Sequence, residues 1–273
     1  MNSLFISTLN SYALAILPWF ALGIFLAYIL EKNFRPRIIK KYFGASDYRK
    51  ILIAQVLGMV SPLSIMSFLP IANEFIASGA HPGMIYSFFI AERAYDLQSF
   101  FIITSLFGPK FAILNAGAIL ISLLVSALAI RNDHIVFRVK PSGEKPSFWS
   151  RQTKLLVIVI IGITVGAFLR VVIPTHIFSD LTGSTYGGIS GGSIIGFLLY
   201  FGPILGNYPV AKAFFDLGMS QSGIFAFLTI SPVINLVVIM LFSGAVGFKN
   251  TYKAFVAYFI AALGMTLLCA PFL

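Results

Sequence analysis

The sequence predicts an all-α polytopic membrane protein built from two repeats of inverted topology. Each repeat is expected to hold three transmembrane helices and one broken, re-entrant hairpin. Three observations predict this class. Hydrophobic residues make up 58% of the 273 residues and charged residues only 10%, whereas soluble domains carry about 25% charged residues. The second half of the chain repeats the first, and the basic residues concentrate in two loops.

The internal repeat has a fixed offset of 139 residues, and the matched region aligns without a gap. Its most informative matches are glycines and prolines, because these residues mark backbone events rather than apolar filler. The matched pairs include Gly23 and Gly162, Pro70 and Pro209, Gly79 and Gly218, and Gly108 and Gly247. The offset divides the chain into repeats 1–139 and 140–273. Internal repeats of this kind are typical of secondary transporters.

Six segments are predicted to cross the membrane, since a span of the hydrocarbon core needs about 20 apolar residues. Arg170 lies near one end of its segment, where its side chain can reach the interface. The predicted spans are 11–30, 83–107, 111–130, 155–173, 222–248 and 254–273.

Two further apolar segments, 51–79 and 191–218, each carry two prolines near the middle. Proline removes a backbone donor and breaks a helix. Each segment is therefore expected to form two short arms joined by an irregular tip, buried in protein or beside a water-filled cavity. The predicted hinge residues are Pro62, Pro70, Pro203, Gly206, Pro209 and Pro232.

Loop charge predicts the orientation. Seven of the 19 Lys and Arg residues lie between positions 32 and 50, and six lie between 131 and 154. Basic loops stay on the cytoplasmic side, so this charge indicates inner-face loops rather than a nucleic-acid partner. An even number of crossings must separate the two loops, so 51–79 must enter and leave on one side. Eight full crossings with parallel repeats is the alternative, and it places one basic loop outside.

Three ionisable residues, Glu92, Arg93 and Asp96, lie about ten residues into a predicted span, near the midplane. In a continuous helix Glu92 and Asp96 share one face. Intramembrane charges are costly and normally face a cavity or a partner. The corresponding second-half residues Ser231, Pro232 and Asn235 carry no charge. The cluster is either a substrate or proton-coupling site or a self-neutralising structural group, and both interpretations stay open.

The hairpin tips supply the remaining candidate ligands. The predicted substrate-binding set is Arg93, Glu92, Asp96, Ser64, Ser67, Asn207 and Asn235. Short helices that begin near Pro70 and Pro209 would direct positive helix ends toward the midplane, which favours an anionic or strongly polar solute. Cation transport through Glu92 and Asp96 stays open. Lys212 and Asp216, four residues apart, are predicted to form a structural ion pair.

These broken segments resemble the predicted-permease family that includes the organoarsenical efflux permeases. The matching residues are Pro62 and Pro70, then Gly206, Pro209 and Val210, then Ser231, Pro232 and Asn235. The resemblance implies a permease that acts as an exporter. The family's cysteine pairs are absent, because Ser64, Met66, Pro203 and Leu205 occupy those positions. Capture of arsenicals by thiolates is therefore not implied.

The leading functional prediction is an integral permease of the cytoplasmic membrane that moves a small molecule or ion by alternating access. A channel, a lipid scramblase and a non-catalytic membrane subunit are the alternatives. No enzyme activity, cofactor or metal site is expected, since the chain lacks an HExxH motif and no histidine lies inside a predicted span. A thioether path for a soft metal through Met59, Met66 and Met84 is a weaker alternative. The lipid bilayer is the other expected partner, and homo-oligomerisation stays open.

Overall fold

A computed structural model describes residues 2–33, 47–61, 80–131, 133, 135, 147–199 and 204–273. Every regular element among these residues is helical. The α-helices are α1 (Asn2–Asn33), α2 (Tyr48–Met59), α3 (Pro82–Ala94), α4 (Leu97–Phe107), α5 (Pro109–Ala129), α6 (Phe148–Val172), α7 (Thr175–Thr182), α8 (Thr185–Leu198), α9 (Asn207–Asp216), α10 (Gln221–Ile230), α11 (Leu236–Val246) and α12 (Phe248–Cys269). Short 3-10 turns, Ile204–Gly206 and Ala270–Phe272, precede α9 and follow α12.

Four helices of the described residues are long and apolar enough to cross a membrane. They cover Ser3–Lys32, Pro109–Ala129, Phe148–Val172 and Phe248–Phe272. These helices correspond to four of the six spans predicted from the sequence. Helices α1 and α6 pack against each other, as do α5 and α12. The two pairs are thus formed by helices that occupy the same place in the two repeats.

The helix boundaries follow the offset of the sequence repeat. Helix α4 begins at 97 and ends at 107, and helix α11 begins and ends at the equivalent positions 236 and 246. Gly108 and Gly247 follow them with φ values of 92° and 88°, a left-handed conformation that favours glycine. Helices α5 and α12 then begin at 109 and 248. The sequence repeat therefore extends to individual backbone events.

The two remaining predicted spans are interrupted, so the expectation of one continuous helix in each was wrong. Segment 83–107 divides into α3 and α4, separated by extended backbone at Tyr95 and Asp96. Segment 222–248 divides into α10 and α11, separated by turns at 231–235. Asp and Asn side chains compete for backbone donors and favour helix caps over helix interiors. Asp96 consequently lies outside a helix, and its expected placement on one helix face with Glu92 is wrong.

The segment between the predicted span 155–173 and the predicted hairpin 191–218 is also largely helical, since it contains α7 and the first residues of α8. Helix α8 crosses close to α10 through Gly188, Gly192 and Gly196. A Cβ on Gly192 would collide with the carbonyl oxygen of Gly223, and one on Gly196 would lie 3.2 Å from Ser231 Cβ. These glycines permit close helix packing.

Replacing Gly192 with alanine tests this close packing. We expect Gly192→Ala to lower the unfolding temperature of the protein in detergent, because overpacking of this kind costs about 1–3 kcal/mol. Gly264→Ala in α12 is the matched control, since a Cβ added there would meet no atom within 4 Å. Alanine at that position should be neutral or slightly stabilising. Equal effects of the two substitutions would contradict the packing described.

The helix cap at His81 predicts a pH dependence of stability. His81 Nδ1 accepts a hydrogen bond of 3.1 Å from the Gly83 amide at the start of α3, and burial lowers the pKa of His81. As the pH falls below about 6.5, the unfolded chain binds a proton before the folded chain does. The contribution of His81 to the free energy of unfolding is therefore fully present above that pH and is lost as the pH falls through the lower folded pKa.

His81→Asn keeps a capping side chain that does not titrate. Unfolding temperatures of both proteins in detergent, measured between pH 7 and about 5, should diverge at the acidic end, with the parent losing more. Curves that stay parallel would show that His81 does not contribute to the acid dependence.

Candidate functional site

Two interrupted helices form the centre of the described structure, and each restarts with the same cap. Asp96 Oδ1 accepts hydrogen bonds from the Ser99 amide at 2.6 Å and from Ser99 Oγ at 2.7 Å. Asn235 Oδ1 accepts one from the Val238 amide at 2.9 Å. The caps satisfy backbone donors that the first turn of a helix leaves without partners. Asp96 and Asn235 occupy equivalent positions in the two repeats, so both repeats cap the restarted helix in the same way.

The first turn of α9 contacts both interruptions. Asn207 Nδ2 donates to Ser231 Oγ at 3.3 Å, which joins α9 to the turn between α10 and α11. The hydroxyl of the next residue, Tyr208, lies beside Ser99 and interacts electrostatically with Asp96. Asn207 and Tyr208 are both buried. Adjacent residues of one helix therefore connect the two breaks, one in each half of the chain.

The glycines of α6 hold the start of α9 in this place. A Cβ on Gly162 would lie 2.7 Å from the Gly206 carbonyl oxygen, and one on Gly166 would lie 2.7 Å from the Pro209 carbonyl oxygen. Only glycine permits these backbone contacts without a shift. Pro209 is the third residue of α9, where proline costs no intrahelical hydrogen bond. The predicted hinge residues Gly206 and Pro209 thus position Asn207 and Tyr208.

The charged cluster borders the first interruption. Arg93 interacts electrostatically with both Glu92 and Asp96. All three residues are half-buried, whereas the neighbouring Tyr95 and Ser99 are buried. The Tyr95 hydroxyl interacts with the Asp96 carboxyl and makes no hydrogen bond within the described part of the chain. A partly accessible charged group therefore lies against buried hydroxyls, an arrangement that could bind a polar solute.

The structure brings several predicted site residues together. Asp96, Asn207 and Asn235 are linked through Tyr208, Ser99 and Ser231, and Glu92 and Arg93 adjoin Asp96. Pro232 lies in the turn before Asn235, as expected of a hinge. The other predicted residues, Ser64, Ser67, Pro62, Pro70 and Pro203, lie outside the described residues.

Sequence reasoning missed Tyr95, Ser99 and Tyr208. Tyrosines are common in membrane proteins and gave no signal of their own. A usable signal existed for Ser99, because a cap residue such as Asp96 bonds the amide three residues later. The predicted ion pair between Lys212 and Asp216 is confirmed. Tyr12 Oη in α1 also donates to Asp216 at 2.7 Å, which ties α9 to the first repeat.

The two repeats pack differently around this shared arrangement. Gly23 of α1 contacts Gln98 of α4, whereas the equivalent Gly162 of α6 contacts Gly206. Gln98 is 4% exposed and donates to Gln152 Oε1 at 2.9 Å, while its counterpart Val237 in α11 is 53% exposed. Helix α4 therefore packs on α1, while α11 presents that face outward.

A second difference separates the repeats. Helix α2 packs on α5, and Gln55 on its inner face is fully buried. The equivalent residue of α8, Ile194, is 60% exposed and lines an apolar groove of about 530 Å³ between α8 and α12. Equivalent helices are thus in contact in the first repeat and separated by a groove in the second.

A known family matches the first half of the chain. Residues 2–135 match the model of a family described as predicted permease, which confirms the family resemblance over that segment. No curated protein and no solved structure matches the chain. With the four long apolar helices, the match identifies a multi-pass membrane protein.

The cap at Asn235 yields a stability prediction. Its amide also donates to the Ser231 carbonyl at 2.7 Å, and the residue is fully buried. We expect Asn235→Ala to destabilise the protein by about 1–3 kcal/mol, because it removes a cap and leaves buried backbone groups without partners. Asn235→Ser keeps a capping oxygen and should recover part of the loss. Unfolding temperatures in detergent measure both variants, and a serine no better than alanine would contradict the capping role.

Proposed function

Because residues 2–135 match the predicted-permease family, we propose that this chain is a permease that moves a small polar solute across the cytoplasmic membrane. Transport proceeds by alternating access between two repeats of inverted topology. Helices α8 and α9 form the re-entrant hairpin of the second repeat, and export is the direction that the resemblance implies. The chain carries out no chemical reaction on the solute.

The observation that carries this proposal is the meeting of two interrupted helices at the first turn of α9. Interrupted helices are where secondary transporters bind their substrates, because helix ends and unwound backbone present polar groups at membrane depth. Tyr208 and Asn207 connect the interruptions, and Arg93 adds a positive charge beside the first. A solute with an anionic or strongly polar group fits this chemistry.

The unequal packing of the repeats supports alternating access. Two copies of one sequence pattern adopt two arrangements, one with α4 on α1 and α2 on α5, the other with the matching faces of α11 and α8 exposed. If the two repeats exchanged these arrangements, access to the site would change from one side of the membrane to the other. A channel requires no such exchange, and its flux would not saturate.

Ligand-dependent stabilisation tests the site before the solute is identified. The purified protein would be heated in detergent with small anions, organic acids, soft metals and metalloids. A ligand at 100 times its Kd stabilises by about 2.7 kcal/mol. We expect an anion or organic acid to raise the unfolding temperature of the parent but not of Arg93→Ala.

Lys212→Ala is the matched control, since it removes a cation that pairs with Asp216 on α9 and lies outside the charged cluster. It should retain the ligand response. A response retained by Arg93→Ala would remove Arg93 from the site. Stabilisation by soft metals alone would instead favour the thioether path. The stabilising ligand should then show saturable uptake into proteoliposomes, and flux without saturation would favour a channel.

A further inference from the structure

Asp96 and Asn235 occupy equivalent positions with nearly the same backbone geometry. Their φ and ψ angles are −137° and 174° for Asp96 and −149° and 159° for Asn235. The preceding residues donate equivalent bonds, from the Tyr95 amide to the Ala91 carbonyl at 3.1 Å and from the Ile234 amide to the Ile230 carbonyl at 2.8 Å. In both residues Oδ1 caps the following helix. Matched backbone and caps would place the second terminal atom of each side chain in the same position.

That second atom differs in chemistry. In Asn235 it is Nδ2, which donates to the Ser231 carbonyl at 2.7 Å. The repeat offset makes the carbonyl of Glu92 the equivalent of the Ser231 carbonyl. In Asp96 the second atom is Oδ2. An ionised Oδ2 is an acceptor only and would be directed at another acceptor, whereas a protonated Oδ2 is a donor.

We propose that Asp96 is a proton-binding site whose protonated form reproduces the Asn235 cap. The Oδ2–H bond would donate to the Glu92 carbonyl, as the Asn235 amide donates to Ser231, while Oδ1 keeps its bonds to Ser99. On release, the proton passes to water, and the bond to the Glu92 carbonyl is lost. The role of this proton in transport rests on the proposed function, but the binding of the proton does not.

The groups around Asp96 make both protonation states tolerable. Within the described residues its charged and titratable partners are Arg93 and Tyr95 on the same chain segment and Tyr208 on α9. The carboxyl also accepts hydrogen bonds from Ser99 and from the Gln98 amide. Helices α1 and α5 and the turn Ile204–Gly206, which also pack on α4, supply none of these partners. With Glu92 and Arg93 ionised, a protonated Asp96 leaves the cluster neutral. Ionisation leaves one negative charge, which Arg93 and the two hydroxyls can stabilise.

Infrared spectroscopy tests the proposal without a transported solute. Spectra of the full chain in detergent would be recorded as a function of pH, with and without aspartate labelled with carbon-13 at the carboxyl carbon. We expect a carbonyl stretch of a protonated carboxyl that shifts with the label and disappears as the pH rises. Asp96→Asn should abolish this band and keep the parent's unfolding temperature, because asparagine is the residue the other repeat uses.

Asn235→Asp, made in the parent chain, is the converse experiment and does not depend on the folding of Asp96→Asn. A carboxyl placed at the equivalent position should give a second labelled band of the same kind. A labelled band unchanged by Asp96→Asn would overturn the proposal, as would the absence of any protonated aspartate at all pH values. Either result would mean that Asp96 stays ionised beside Arg93. Neither result bears on whether the chain transports a solute.

Discussion

An apolar helix bundle cannot leave backbone donors and acceptors without partners, and this constraint governs the centre of the protein. Each interruption of a helix frees backbone groups that lipid cannot satisfy. Asp96 and Asn235 meet this demand with side-chain caps on α4 and α11. The caps permit non-helical backbone inside the bundle, and this backbone can offer polar groups to a solute. The site therefore depends on two hydrogen-bonding side chains at equivalent positions of the two repeats.

The same pattern of helices and glycines supports two different packing arrangements. Gly23 and Gly162 both admit close contact, but Gly23 contacts Gln98 whereas Gly162 contacts Gly206. Packed helices have discrete arrangements rather than a continuous range, and the two halves of this chain adopt two of them. The repeat thus provides both the shared caps and the difference between the halves that alternating access would use.

The sequence predicted the helical class, the four long spans, the offset of the repeat and the Lys212–Asp216 pair, because hydropathy, glycine positions and helical spacing act locally. The prediction of one continuous helix failed at 83–107, because the segment is apolar throughout and its hydropathy does not show the break at Asp96. The partners Tyr95, Ser99 and Tyr208 were missed for a different reason. Tyr208 and Ser99 belong to different repeats, and only the packing of α9 brings them together.

The comparison of the two caps shows how a repeat can acquire chemistry while retaining its fold. Asparagine and aspartic acid have the same shape, so either can cap the helix that follows an interruption. They differ in one terminal atom, an amide nitrogen that always donates and a carboxyl oxygen that donates only when protonated. Asn235 therefore fixes its interruption at every pH, whereas the proposed protonation of Asp96 would make the equivalent interruption sensitive to a proton. The charges of Glu92 and Arg93 occur beside Asp96, and their counterparts beside Asn235 are the neutral Ser231 and Pro232. The charged group and the proposed proton-binding cap thus belong to one repeat, which under the two proposals is the repeat that would respond to a solute or a proton.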